Sequence, residues 1–147
     1  MNLRLVISNN AYVLAQAPDG VWAEFAVLPG GSDALLPAAR PMGAAALEAA
    51  IEISEDWLMP HTARLRGEVL EVSDASGRLK SGVADVLASN TTAWSVDDVE
   101  QFFLRLVDLT TGRAPAPAVH GRHSFVADVL LLRELAHHGQ LREIRLL

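Results

Sequence analysis

Residues 124–139, SFVADVLLLRELAHHG, decide how the rest of this chain is read. At 100° per residue, Phe125, Val126, Val129, Leu130, Leu132, Leu135 and Ala136 cover well over half of a helix circumference. A helix apolar over that much of its surface is touched on several sides, so this stretch is expected at the centre of the fold. Ser124 suits an N-cap, its hydroxyl accepting from an N–H of the first turn. Gly139 suits the left-handed residue that ends a helix. His137 and His138 lie in the last turn, where positive charge complements the dipole. Adjacent on a helix, they point 100° apart and cannot chelate one ion together. Asp128 falls inside the apolar arc. Its position near the helix start reads as a rim carboxylate favoured by the dipole; burial would instead raise its pKa.

The remainder of the chain supplies what this helix packs against. Leu3, Leu5 and Ile7 alternate with more polar neighbours, the period of a strand. Asn9-Asn10 then supplies two residues tolerant of positive φ, and residues 11–17 (AYVLAQA) form the return strand of a hairpin. Pro18-Asp19-Gly20 is a turn. Residues 21–28 (VWAEFAVL) are apolar on both faces apart from Glu24, which suits an inner strand of a meander. Residues 44–59 read as a helix stopped by Pro60. Residues 64–87 carry two apolar runs around Asp74-Ala75-Ser76-Gly77 and read as a hairpin, although Leu79, Val83 and Val86 also fit a helix. Ser95 opens a further helix, with Asp98 three residues on completing a capping box. A Pro/Ala connector spans residues 112–123, and residues 140–147 read as a last strand. The expected fold is therefore α+β: a mostly antiparallel sheet, built from an N-terminal meander, a central hairpin and a C-terminal strand, with three main helices on one face. One domain over residues 1–147 accommodates it.

Composition narrows the function classes. Half of the 147 residues are apolar and 20% are charged, a globular balance. The net charge of −6 opposes nucleic-acid binding, which needs a basic footprint. That charge is uneven: residues 1–63 set Arg4 and Arg40 against seven carboxylates, a net −5. Without cysteine there is no disulfide, thiolate metal site or cysteine nucleophile. No apolar run reaches the ~20 residues of a membrane span, and the N-terminal apolar run is too short for a signal peptide, so a cytoplasmic location is expected.

The familiar phosphate-loop, dinucleotide, nucleophile-elbow and zinc-protease patterns are absent. Two constellations remain as candidate sites. Glu48, Glu52, Glu55 and Asp56 form an acidic stripe at helical spacing with no cation between them, suited to arginines on a second copy or on a basic protein surface. His120, Arg122 and His123 form a loop cluster beside a helix start. Without further ligands it predicts no structural metal, and no cofactor is expected. The leading expectation is a non-catalytic binding or accessory domain acting through protein contacts, as a homodimer, with no nucleic-acid or membrane partner. One alternative is a small metal-dependent or His/Asp-based hydrolase using some of Asp56, His61, His120, His123 and Asp128. Another is a small-molecule binding domain with an apolar pocket near Trp22 or Trp57.

Overall fold

The computed structural model describes residues 2–113 and 122–147. Six strands form one mixed sheet in the order β3-β2-β1-β4-β6-β5. They are β1 (Asn2–Ile7), β2 (Ala11–Ala17), β3 (Ala23–Pro29), β4 (Val69–Asp74), β5 (Ala93–Trp94) and β6 (Glu143–Leu146). The helices are α1 (Ser32–Leu35), α2 (Ala44–Leu58), α3 (Thr62–Leu65), α4 (Arg78–Leu87), α5 (Val96–Thr110) and α6 (His123–His138), with a 3-10 turn over Met59–His61. The α+β class and the N-terminal meander are as expected. The sheet is mixed, because β1–β4 and β4–β6 pair in parallel while β1–β2, β2–β3 and β5–β6 are antiparallel.

Alternation builds the core side of the sheet. Leu3, Leu5 and Ile7 of β1 stand beside Leu70 and Val72 of β4 and Tyr12 and Leu14 of β2, all buried. Helix α6 lies over them as the centre of the helical layer, packed against α1, α2, α4 and α5. Nearly its whole length is buried, leaving His137 exposed. Ser95 and Asp98 form the capping box of α5: Asp98 N–H donates to Ser95 Oγ (3.1 Å), and Ser95 N–H donates to Asp98 Oδ2 (2.9 Å).

Several expectations are corrected. The central hairpin is a strand followed by a helix: β4 ends at Asp74, and residues 78–87 wind into α4. The buried set Leu79, Gly82, Val83, Val86 and Leu87 makes one helical face, and that face meets α6. Gly77 (φ 73°) and Ala88 (φ 53°) bound it in left-handed conformations. Strand β3 is an edge strand, not an inner one. Two apolar rings here lie under cations, Arg4 4.2 Å over the ring of Trp22, just before β3, and Arg64 4.7 Å over Phe25, while Val27 stays exposed. The β1–β2 turn uses no positive φ at Asn9 or Asn10; Ser8 closes it instead, through its backbone N–H to Ala11 O and Ala11 N–H to its hydroxyl. Helix α6 starts at His123 with Arg122 in the cap position, so Ser124 is not the N-cap. Gly139 keeps right-handed φ, and Gln140 takes the left-handed turn. Glycine is required at 139 by proximity, since a Cβ there would lie 2.8 Å from Leu65 Cδ1 and 2.3 Å from Leu135 O.

Gly82 sets the approach of α4 to α6. A Cβ at this position would sit 2.2 Å from Cδ1 of the buried Phe125 ring. Helix propensity alone predicts that Gly82→Ala gains ~1 kcal/mol. Overpacking against a ring that cannot retreat costs ~1–3 kcal/mol, at the upper end here. Chemical denaturation of Gly82→Ala is expected to show a net loss of about 2 kcal/mol; a gain would mean that α4 is not held against α6 in this way.

Candidate functional site

Strands β1 and β4 run side by side in the same direction, and their carboxyl ends open at one edge of the sheet. Beyond Ile7 the chain turns back through Ser8, Asn9 and Asn10, all exposed. Beyond Asp74, paired with Ile7, it turns through Ala75, Ser76 and Gly77 into α4. Where neighbouring strands leave in different directions their ends enclose a crevice, and in open sheets with parallel strands that is where ligands bind.

A buried polar cluster forms the floor. Tyr12 of β2 is level with Ile7 and Asp74 across the three strands. Its hydroxyl donates to Asp128 Oδ1 of α6 at 2.6 Å. Arg78, the first residue of α4, donates to the same carboxylate from Nε to Oδ2 and from Nη2 to Oδ1, both at 2.9 Å. Asp128 and Tyr12 are fully buried. Burial pushes the Asp128 carboxyl above its ordinary value, against the opposing hydrogen bonds from Arg78 and Tyr12. Burial and the adjacent Asp128 charge push the Tyr12 hydroxyl well above its ordinary value. The hydrogen bonds to Asp128 raise Arg78 further, so it stays a cation. Asp128 is thus no rim residue; it is a sequestered charge held by a two-pronged guanidinium and a phenol.

Asp74, at the rim, is the opposite case. Burial alone would raise it, but hydrogen bonds from Ser76 Oγ, Leu79 N–H and Ser76 N–H outweigh that, helped by the Arg78 charge, and hold it below its ordinary value. These contacts cap the first turn of α4, and Arg78 N–H donates to Ser76 Oγ.

The residues singled out in the sequence do not converge here. Glu48, Glu52 and Asp56 are exposed on α2, while Glu55 turns away from them to accept from His138 Nε2 at 3.0 Å. Arg122 pairs with Asp85 at 3.5 Å, and His123 Nε2 is 2.6 Å from Arg40 O. His120 lies outside the described residues. His61 tilts against the Phe25 ring; burial and then the Arg64 charge lower its pKa. An apolar cavity of about 450 Å³ lies elsewhere, between the α1–α2 connection and α2, with His123 at its edge. It holds no cluster of titratable groups, so the crevice is the better candidate for chemistry.

The described residues form an α+β domain with parallel strands at the centre of a mixed sheet. No protein-family model matches the sequence, and no curated protein matches it. Among solved structures, the chain is similar to the Ppx/GppA phosphatase of Aquifex aeolicus, with a TM-score of 0.68 and 9% identity over 98% of this chain and 52% of that one. It is also similar to an exopolyphosphatase from Cytophaga hutchinsonii, with a TM-score of 0.66 and 15% identity over 99% of this chain and 52% of that one. The chain therefore spans about half the length of these enzymes. The expectation of a non-catalytic, protein-binding domain is overturned, because the solved chains that share its backbone are enzymes; the hydrolase alternative is the one they support.

Breaking the floor of the crevice leaves a buried carboxylate without its cation. Arg78→Met is expected to cost ~3 kcal/mol at neutral pH, the lower end for a buried pair because Arg78 keeps some exposure. The folded-state pKa of Asp128, already raised, rises further without Arg78. A raised carboxyl contributes stability below its unfolded pKa and loses it as pH rises through the folded value. The deficit of the variant should therefore be smaller at pH 5 than at pH 8 in denaturant titrations. A pH-independent deficit would show that Asp128 is not the group affected.

Proposed function

We propose that this chain is a hydrolase-type domain that binds phosphoanhydride substrates, inorganic polyphosphate in the first instance, in the crevice at the carboxyl ends of β1 and β4. The observation that carries the proposal is Asp74: an ionised carboxylate at the end of a parallel strand, between two exposed turns. Around it are the groups such a substrate requires. The side-chain amides of Asn9 and Asn10 are exposed donors for phosphate oxygens, beside a Ser76 hydroxyl that gives its proton to Asp74 and accepts from Arg78 N–H. The Arg78 guanidinium commits Nε and Nη2 to Asp128, and its charge remains beside the crevice. Asp74 is the carboxylate available to orient an attacking water. Asp128 acts through Arg78, as a positioning residue. The phosphatases that share the backbone support the same class of substrate, the Cytophaga hutchinsonii protein being an exopolyphosphatase.

Because those enzymes are about twice as long, binding is tested separately from turnover. Wild-type protein is expected to bind a defined-length polyphosphate saturably and to release phosphate from it in the presence of a divalent cation. The double variant Asn9→Ala/Asn10→Ala alters exposed side chains only. It is expected to lose at least ~10-fold in affinity, about 1.4 kcal/mol, with an unchanged melting temperature. Absence of binding by the wild type, or equal affinity in the variant, would refute the assignment of this crevice.

A further inference from the structure

The C-terminal end of α6 carries a second polar cluster, far from the crevice. Asp128 and His138 are ten residues apart on α6, about 15 Å along its axis. Glu134 and His138 are separated by four residues and share a face. Glu55 comes to them from α2. His138 Nε2 lies 3.0 Å from Glu55 Oε1 and 3.2 Å from Glu134 Oε2, and one ligand atom from each residue lies within 4.8 Å of the other two.

Hydrogen bonding alone does not satisfy this arrangement. Glu134 is fully buried; its Oε1 accepts from Arg133 Nη1 at 2.7 Å, but its buried Oε2 has no hydrogen-bond partner. Nε2 of an imidazole carries at most one proton, so it cannot serve Glu55 and Glu134 at once, and Glu55 is the nearer. A buried carboxylate oxygen left without a donor is costly. Charge is unbalanced in the same sense. Arg133 pairs with both Glu100 and Glu134, and Glu55 adds a third carboxylate, so one guanidinium faces three carboxylates.

We propose that Glu55, Glu134 and His138 form a binding site for a divalent transition-metal ion, zinc by its donor chemistry, which fastens α2 to α6. One imidazole nitrogen with two carboxylate oxygens suits zinc; magnesium favours oxygen-only octahedra. A tetrahedral ion at ~2.0–2.1 Å from its ligands needs ligand atoms ~3.3 Å apart, close to the spacings around Nε2. The ion supplies Glu134 Oε2 with its missing partner and sets a second positive charge against the three carboxylates. Arg133 on Glu134 Oε1 orients that carboxylate from behind. Glu55 and His138 are partly exposed, which opens a path for the ion and leaves the fourth position to water.

The test uses the full chain, purified without an affinity tag and stripped with chelator. Titration with zinc is expected to give one equivalent bound and a raised melting temperature. Cobalt(II) is expected to give the visible absorption of a four- or five-coordinate ion. Glu55→Gln changes a half-exposed side chain and preserves the fold, and it should weaken binding at least ~10-fold; His138→Ala should abolish the stoichiometric site. His123→Ala and His61→Ala should bind as the wild type does. Failure to bind one equivalent, or binding that survives Glu55→Gln and His138→Ala, overturns the proposal. Neither readout involves phosphate release, so the outcome is independent of the crevice.

Discussion

A carboxylate with no solvent exposure, set in the most buried of the described helices, is the constraint from which the architecture follows. An ionised group moved into such surroundings is tolerated only if it is paired and hydrogen-bonded. Asp128 receives its donors from two elements distant in sequence, Tyr12 and Arg78. To deliver them, the Tyr12 face of β2 must look toward α6, which settles the register of the meander. The first turn of α4 must also lie against α6, which sends residues 78–87 back over the helical layer and excludes a hairpin there. Gly82 permits that approach, because the Phe125 ring fills the space where a side chain would be.

What was legible in the sequence was what local physics decides. The Ser95–Asp98 capping box, the alternation of Leu3, Leu5 and Ile7, and the helix before Pro60 each depend on residues within one element. Segments decided by distant contacts were not legible. Residues 78–87 offer apolar spacings that suit either structure, and only the presence of α6 selects the helix. Gly139 looks like a left-handed cap, yet the constraint there is the nearness of Leu65, seventy-four residues earlier. The apolar positions of β3 suggested an inner strand because nothing local reveals that Arg4 will cover Trp22.

The candidate sites divide in the same way. Asp128 was visible as an acid inside an apolar arc, but its burial was not, because Arg78 and Tyr12 lie fifty or more residues away. Glu134 was missed, although a signal existed. Ala127 and Leu130 flank it on the wheel, so the apolar surface of α6 closes around it too. A helix buried all round makes every acid on it a buried acid, and each then requires a named partner. Applied to α6, that requirement locates both polar clusters.

The two aspartates of the crevice show how one set of neighbours separates chemical roles. Asp128 and Asp74 both face Arg78 and repel one another. Burial dominates at Asp128, so its carboxyl is pushed up and its charge is spent holding the guanidinium in place. At Asp74, donors from Ser76 and Leu79 outweigh a lesser burial, and the charge stays at the partly exposed rim. Carboxylates whose environments push them in opposite directions are the usual sign of a division of labour at a site. Here the division is between fastening and contact. Asp128 fixes the cation, the cation adds its charge to the donors that hold Asp74 low, and Asp74 in turn fixes the turn that carries Ser76. The crevice is therefore built from its floor upward, and its outermost groups are placed with the help of a fully buried charge.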